Sequence, residues 1–342
     1  MTDKSYAPFS KKFLSVEIIV PKGVKKLNYQ TGQHETSNLA GQRISLQGYR
    51  MTAQIVNAGQ VQGVEAAIQI YNLPEGLMKS LTGFGSMSVF NYVASGNSNQ
   101  NLFGTVQVQI FTSPDTTDTV GVGNAKGTVQ QKTENKKQLI FWGSLQTAQA
   151  IMQGAPDPFI QIQCNTLGLA QTAPASVISY KGAIAASTIA KNIADGMGLS
   201  FTNSGVKTIL QNAYFYGSAK RQLEDLAHQA LFSYTTENGV LNIWPINGTR
   251  QPAGQSAVTI SPNTGLIGYP RFAGVGVTFT TIYNPGLRFG DRIYLETSLP
   301  NATGYYSVQA TAHHLSTEMP GGPWETEVTA TSFVNPIGTA ST

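Results

Sequence analysis

The sequence predicts a mainly β chain with a small α+β module at its centre. Three observations carry this. Period-two alternation recurs from about residue 13 to 167, helical spacing replaces it from about 171 to 245, and alternation returns after Pro245. The expected domains are therefore 1–170, 171–250 and 251–342, in keeping with a chain of 342 residues and roughly 150 residues per domain.

The first segment reads as strand after strand. Residues 13–20 form a β-branched run closed by Pro21, and 43–56 alternates through Ile44, Leu46 and Ile55. Residues 64–71 alternate through Ala66, Ile68 and Ile70, and 89–93, 105–111, 138–144 and 159–165 continue the series. VQVQIF places Val106, Val108 and Ile110 on one face with Gln107 and Gln109 on the other. FIQIQC repeats this with Ile160 and Ile162 inward and Gln161 and Gln163 outward, the form of a half-buried antiparallel sheet. A short helix over 72–81 interrupts the strands, with Asn72 as its expected N-cap and Leu77, Met78 and Leu81 at helical spacing.

Residues 112–137 are polar and read as an exposed loop or projecting hairpin. Loops this long are usually functional or disordered. Gly121, Gly123 and Gly127 mimic a phosphate-binding string, but no apolar strand leads in and no helix follows. In the central segment Ile184, Ile189, Ile193 and Met197 form a helical stripe ended by Gly196 and Gly198. A second helix is capped by Ser218 and carries Leu223, Leu226, Ala227, Ala230 and Leu231 on one face. FSYTTENGVLNIWP then predicts a hairpin turning at Asn238-Gly239. The last strands are expected at 257–260, 274–282, 291–296, 304–314 and 324–333. There Val275, Val277 and Phe279 share one face, Thr326, Val328 and Ala330 share another, and a frayed tail ends the chain.

Composition narrows the function. Charged residues are 12% of the chain, about half the ~25% of an ordinary soluble protein, and roughly a third of the chain is Ser, Thr, Asn or Gln. With 41% hydrophobic residues the chain can build real cores. A net charge of +4 spread over this length is no nucleic-acid footprint, which needs clustered Lys and Arg. The N-terminal stretch has no apolar run suited to a signal peptide, so Sec export is not expected and folding in a reducing cytoplasm is. No window reaches the ~20 apolar residues of a spanning helix. Cys164 stands alone, excluding an internal disulfide and a thiolate zinc cage, and reads as a small buried residue.

No catalytic, cofactor or metal site assembles. His34 lies in a polar loop, and His228 sits on a helix beside the apolar stripe. His313 and His314 are strand neighbours that point to opposite faces and cannot jointly hold one metal in the ordinary way, so one in and one out is expected. Gly-x-Ser-x-Gly and His-Glu-x-x-His are both absent. Glu224-Asp225 lie on a helix flank, and any two of the 18 acids could in principle serve glycoside hydrolysis, an unselective signal. Trp142, Trp244 and Trp324 read as packing anchors; a sugar-stacking role is the alternative.

The order of segments resembles the baseplate hub proteins of contractile-tailed bacteriophages. AAIQIYNLPEGLMKSL is similar to their strand, Tyr-Asn-Leu and short-helix element, and LIFWGSL to their next strand. SAKRQLEDLAHQALFSYTTENGVLNIWP is similar to their central helix and hairpin. GYPRFAGVGVTFTTIYNPGLRFGDRIYLETS and GYYSVQATAHHLSTEMPGGPWETEVTATSF resemble the last tube-like domain, so the likeness spans nearly the whole chain. The 112–137 loop is longer than the family pattern needs.

The resemblance implies two tube-like antiparallel β-barrel domains flanking a central helix and hairpin domain. It implies a structural virion protein, not an enzyme: a homotrimer joining the sixfold tail tube to the threefold central spike. Its expected partners are the tail tube, central spike and baseplate wedge proteins, with DNA passing through the lumen without specific binding. The neutral surface suits such a conduit, because each surface cation would add counterion-release affinity for phosphates, and buried charge at ring contacts is costly to desolvate. Rows at Gln107, Gln109, Gln161 and Gln163 are expected to line the lumen or a neighbour contact. The alternatives are a carbohydrate-binding or glycoside-cleaving β protein, which predicts a cleft with Trp or Tyr beside paired carboxylates, and a spike or hub of a non-phage contractile injection system, which shares the fold.

Overall fold

A computed structural model describes residues 13–22, 24–27, 33–59, 63–82, 84, 105–112, 137–152, 157–168, 170, 175–251, 256–274 and 276–332. The expected strand at 89–93, most of the polar loop with its three glycines, Val275 and the tail lie outside these residues.

The first strand-rich unit contains β1 (Leu14–Ile19), β2 (Lys25–Leu27), β3 (His34–Thr36), β4 (Arg43–Gln47), β5 (Met51–Asn57) and β6 (Val64–Tyr71). Helix α1 (Glu75–Leu81), β7 (Gln107–Thr112), β8 (Gln138–Ile151) and β9 (Phe159–Asn165) complete it. The central module holds β10 (Ile178–Ser179), β11 (Ala183–Ala185), α2 (Ala186–Met197), β12 (Ser200–Asn203), β13 (Ile209–Gln211) and β14 (Tyr214–Phe215). It ends with α3 (Ala219–Ala230) and the hairpin β15 (Phe232–Glu237) and β16 (Val240–Pro245). The second strand-rich unit comprises β17 (Val258–Ile260), β18 (Leu266–Ala273), β19 (Gly276–Ile282), β20 (Arg292–Leu295), β21 (Gly304–Thr317) and β22 (Trp324–Ser332).

The chain is mainly β with a small α+β module, as the periodicity predicts. Alternation decides which side of each strand is dry. Val108 and Ile110, Ile160 and Ile162, Val277 and Phe279, and Val328 and Ala330 are all buried. Both strand-rich units share one open sheet, ordered β18-β19-β22-β21-β5-β6-β9-β8-β7-β1-β4, with β17 and β20 branching at β21; no closed barrel forms among the described residues. The seam between the units is the antiparallel pair β21–β5, running from Thr311 opposite Asn57 to Thr317 opposite Met51.

The two units repeat one another. The order β5-β6-β9-β8-β7 in the first is matched by β18-β19-β22-β21-β20 in the second. Hydrogen bonds fix the correspondence. The Tyr71 amide donates to Arg50 O at 3.0 Å where the Ile282 amide donates to Gly265 O at 2.8 Å. The Leu145 amide donates to Val106 O at 2.8 Å where the Val308 amide donates to Asp291 O at 2.9 Å. Each long strand also bulges by one residue at the same place: register skips Gln146 between Leu145 and Thr147, and Gln309 between Val308 and Ala310.

Three apolar clusters sit beneath these elements. One gathers Leu14 to Cys164 and takes in Leu315 from across the seam. A second joins α2 and α3 to the β15–β16 hairpin, and a third lies within the second unit. Ser218 caps α3, its Oγ accepting from the Arg221 amide at 3.3 Å. Gly198 ends α2 in the left-handed conformation at φ 73°.

Four local expectations are corrected. Asn72 does not cap α1; it takes the left-handed turn out of β6 at φ 58°, which a short polar side chain tolerates, and Pro74 is the N-cap residue. Ile184 belongs to β11, paired opposite Leu210, and α2 starts after it. Leu231 is the left-handed C-cap of α3 at φ 53° and is exposed, because the chain reverses there into β15. Gln107 is buried, not on a wet face, because Trp142 and the central hairpin cover that end of the sheet.

Candidate functional site

The hairpin of the central module is wedged where the two strand-rich units meet. Its tip, Asn238 at φ 50° and Gly239 at φ 79°, makes the tight turn that Asn-Gly encodes. Gly239 lies so close to the Trp142 ring that a Cβ there would stand 2.2 Å from it. The Trp142 indole N–H donates to Gln107 Oε1 at 2.7 Å. Farther along the hairpin, buried Trp244 reaches into the second unit, packing edge-on against Phe289 at 5.3 Å and over Gly290. Trp324 packs against Tyr283 at 5.5 Å. All three tryptophans are packing anchors.

A polar network ties the same junction. Asn57 of β5 donates to Glu237 Oε1 and Thr235 Oγ1 on β15, and Arg250 pairs with Glu237 Oε2. The hydroxyls of Thr166 and Thr236 meet at 3.0 Å. The Arg250 amide donates to Gly290 O at 2.8 Å, so the network reaches all three units. Both ionic side chains are largely covered, and removing one partner of such a pair typically costs about 3–5 kcal/mol. Nearby Asp291 accepts from the Arg288 amide at 3.1 Å. Burial pushes its carboxyl up to about 6, with Arg250 opposing the rise and Glu237 reinforcing it.

A cleft of about 50 Å³ opens beside this network, lined by Asn57, Trp142, Thr166, Glu237, Arg288 and His313 among others. It can take a few waters but falls well short of the roughly 300 Å³ at which small-molecule pockets begin. The carboxylate in its lining, Glu237, is engaged by Arg250 and Asn57. Glu224 and Asp225 lie elsewhere on α3, paired with Lys220 and Arg221 one turn back.

The structure disperses the remaining candidates. The backbone of His34 lies not in a loop but in β3, opposite Leu27 of β2, and His228 is exposed in the last turn of α3. His313 and His314 point to opposite faces as expected, but both are half-buried instead of one in and one out. His313 Nδ1 lies 2.9 Å from Thr326 Oγ1, its ring stands edge-on to Tyr283, and burial followed by the His314 charge pushes its pKa down to about 4. Cys164 is buried, which pushes its thiol up. No group of three His, Cys, Asp or Glu residues is placed to hold a metal among the described residues. No described helix is long and apolar enough to cross a membrane.

The amide face is continuous. Gln161 of β9 lies opposite Gln69 of β6 on one side and Gln149 of β8 on the other. Gln163 is exposed and accepts from Thr147 Oγ1 at 3.2 Å, while Gln109 and Gln161 are half-buried. Across the seam the same face runs on through Gln54 to His314 and Glu325. Sequence reasoning did not single out Asn57, Glu237, Arg250 or Asp291, which lie far apart in the chain. The one signal that could have marked the repeat is that Ser144-Leu145-Gln146 and Ser307-Val308-Gln309 stand at its matching bulges.

Solved structures share this fold at low identity. A tail protein from Neisseria meningitidis MC58 superposes with a TM-score of 0.57 at 10% identity, covering 94% of this chain and 97% of that one. The 43 kDa tail protein of prophage MuSo2 from Shewanella oneidensis gives 0.52 at 8% identity, covering 84% and 94%. The E. coli c3393 protein, a type VI secretion component described as similar to the T4 tail proteins gp27 and gp5, gives 0.51 at 9% identity, covering 86% and 76%. No sequence among the curated proteins matches. The family model described as baseplate hub gp41 matches residues 35–319, most of the length, and the chain belongs to that family.

Proposed function

We propose that this chain is the trimeric hub of a contractile tail, joining the sixfold tail tube to the threefold spike and forming part of the DNA conduit. Family membership already makes it a structural component of the phage tail baseplate. The observation that carries the finer reading is the repeat: two units of matching strand order stand edge to edge in one sheet. Three such chains supply six units for a sixfold neighbour while keeping threefold symmetry for a spike. In this reading the domains are 1–170, 171–250 and 251–342, and the central module braces the two tube-like units through Trp142 and Trp244.

Gln109, Gln161 and Gln163 line the lumen or a neighbour contact, wetting it without gripping phosphates; Gln107, buried under the hairpin, does not take part. The partners are the tail tube, spike and wedge proteins, the place is the virion baseplate after synthesis in the host cytoplasm, and no residue is assigned to catalysis. Light scattering and electron microscopy of the full chain test this. A mass of three chains and a ring with a central opening are expected, and a stable monomer at every concentration would refute it.

A further inference from the structure

The repeat leaves one joint unused. In β21 the first half, to Ser307, pairs with β20, and the second half, from Thr311, pairs with β5. In its counterpart β8 the first half, to Ser144, pairs with β7, but no strand lies on that side of 146–151 among the described residues. The counterpart of β5 is β18, whose outer edge also carries no strand among the described residues. Both open edges are exposed. Gln149 and Ala150 face solvent on β8, while β18 presents Ile267, Tyr269 and Phe272, with Tyr269 69% and Phe272 64% exposed. An apolar edge strand left open is a template for strand pairing.

We propose that the β18 edge of one chain pairs antiparallel with the 148–151 edge of β8 in a second copy, repeating between protomers the seam that β5 and β21 make within one. Three copies closing a ring rests on the hub reading; the joint itself rests on the repeat. The matched bulges carry the register across. Ala150 corresponds to His313 and Phe272 to Ile55, so Phe272 of one chain stands opposite Ala150 of the next, as Ile55 stands opposite His313. Ile151 likewise stands opposite Arg271. The large exposed ring thus meets the small exposed side chain. Pro270 falls within the β18 bulge between Ile267 and Arg271, outside the paired run, where its missing N–H costs the joint nothing. The two edges are different surfaces, so the contact is head-to-tail, the kind that forms a ring where its rotation closes.

The test is the full chain carrying Ala150→Cys and Phe272→Cys. Directly opposite residues in an antiparallel pair lie about 4.5–5.5 Å apart at Cα, within disulfide range, and the native thiol of Cys164 is buried away from the reaction. Val56→Cys with Ala312→Cys, opposite one another in the internal seam, is the control and should close without raising the mass. Under mild oxidation the test pair should yield a covalent species of three chains that neither single variant forms. A non-covalent trimer that resists linkage while the control closes would overturn the joint and leave the hub reading standing. Linked ladders beyond three chains would uphold the joint and overturn the closed trimer. Linkage in either single variant, showing a two-fold contact, would overturn the joint, and a monomer without linkage would overturn both readings. As a second arm, Phe272→Lys should raise the concentration needed for assembly at least tenfold with an unchanged circular dichroism spectrum; assembly at the wild-type concentration would overturn the joint.

Discussion

Replacing His313 with glutamine should make the chain less sensitive to acid, and the size of the effect follows from the seam. His313 lies on β21 opposite Ile55, bonded to Thr326 and edge-on to Tyr283. Burial, then the neighbouring His314, lowers its pKa to about 4, whereas an unfolded chain holds it near 6.5. The folded state therefore keeps this ring neutral while the unfolded state takes up a proton. Stability from this site is full above pH 6.5 and is lost as pH falls towards 4, by about 3 kcal/mol at 1.36 kcal/mol per tenfold change. Glutamine can still bond to Thr326 but cannot titrate. Urea unfolding of both proteins at pH 7, 5.5 and 4 reads the difference, and titrating groups not coupled to His313 cancel in the comparison. Wild type should lose about 3 kcal/mol more than His313→Gln between pH 7 and 4. Equal losses would show that the His313 ring is solvated in the folded chain and would refute the reasoning.

Two further outcomes are expected. Asp291→Asn should be more stable than wild type above pH 6, by up to about 3 kcal/mol, and no more stable at pH 4, because the folded carboxyl near 6 binds its proton more tightly than an unfolded one near 3.8. Thermal melts at pH 4 and 7.5 would show it, and a pH-independent difference would count against it. Gly239→Ala should destabilise by about 1–3 kcal/mol or more, since alanine would be strained at φ 79° and its Cβ would overlap the Trp142 ring. An unchanged melting temperature would mean that the hairpin tip does not rest on Trp142.

Elements with strong local signals were legible from the chain. The buried faces of β7, β9, β19 and β22, the Ser218 cap and the Asn238-Gly239 turn all follow from rules that span a few residues. Errors fell where tertiary context outweighs local pattern. Gln107 alternates like an outward residue yet is buried, because a hairpin more than a hundred residues away lies over Trp142. Leu231 continues the helical stripe in number only, since the backbone turns left-handed beneath it. The Glu237–Arg250–Asn57 network could not be read in advance, because nothing in the chain marks which of many polar residues will meet when three units converge.

By itself, then, the sequence determined a mainly β protein of unusually low charge with a helical centre, and its segment order pointed to a baseplate hub. Those properties are set by composition and by periods of two and 3.6 residues, which act locally. Only the tertiary structure decided that the two strand-rich units share one sheet through β21 and β5, that they repeat one another down to the bulges at Gln146 and Gln309, and which edges carry no strand among the described residues. Strand partners are chosen by the free energy of pairing distant backbone edges and burying their faces together. That choice is written in no single segment, because any alternating strand can offer its edge to any other.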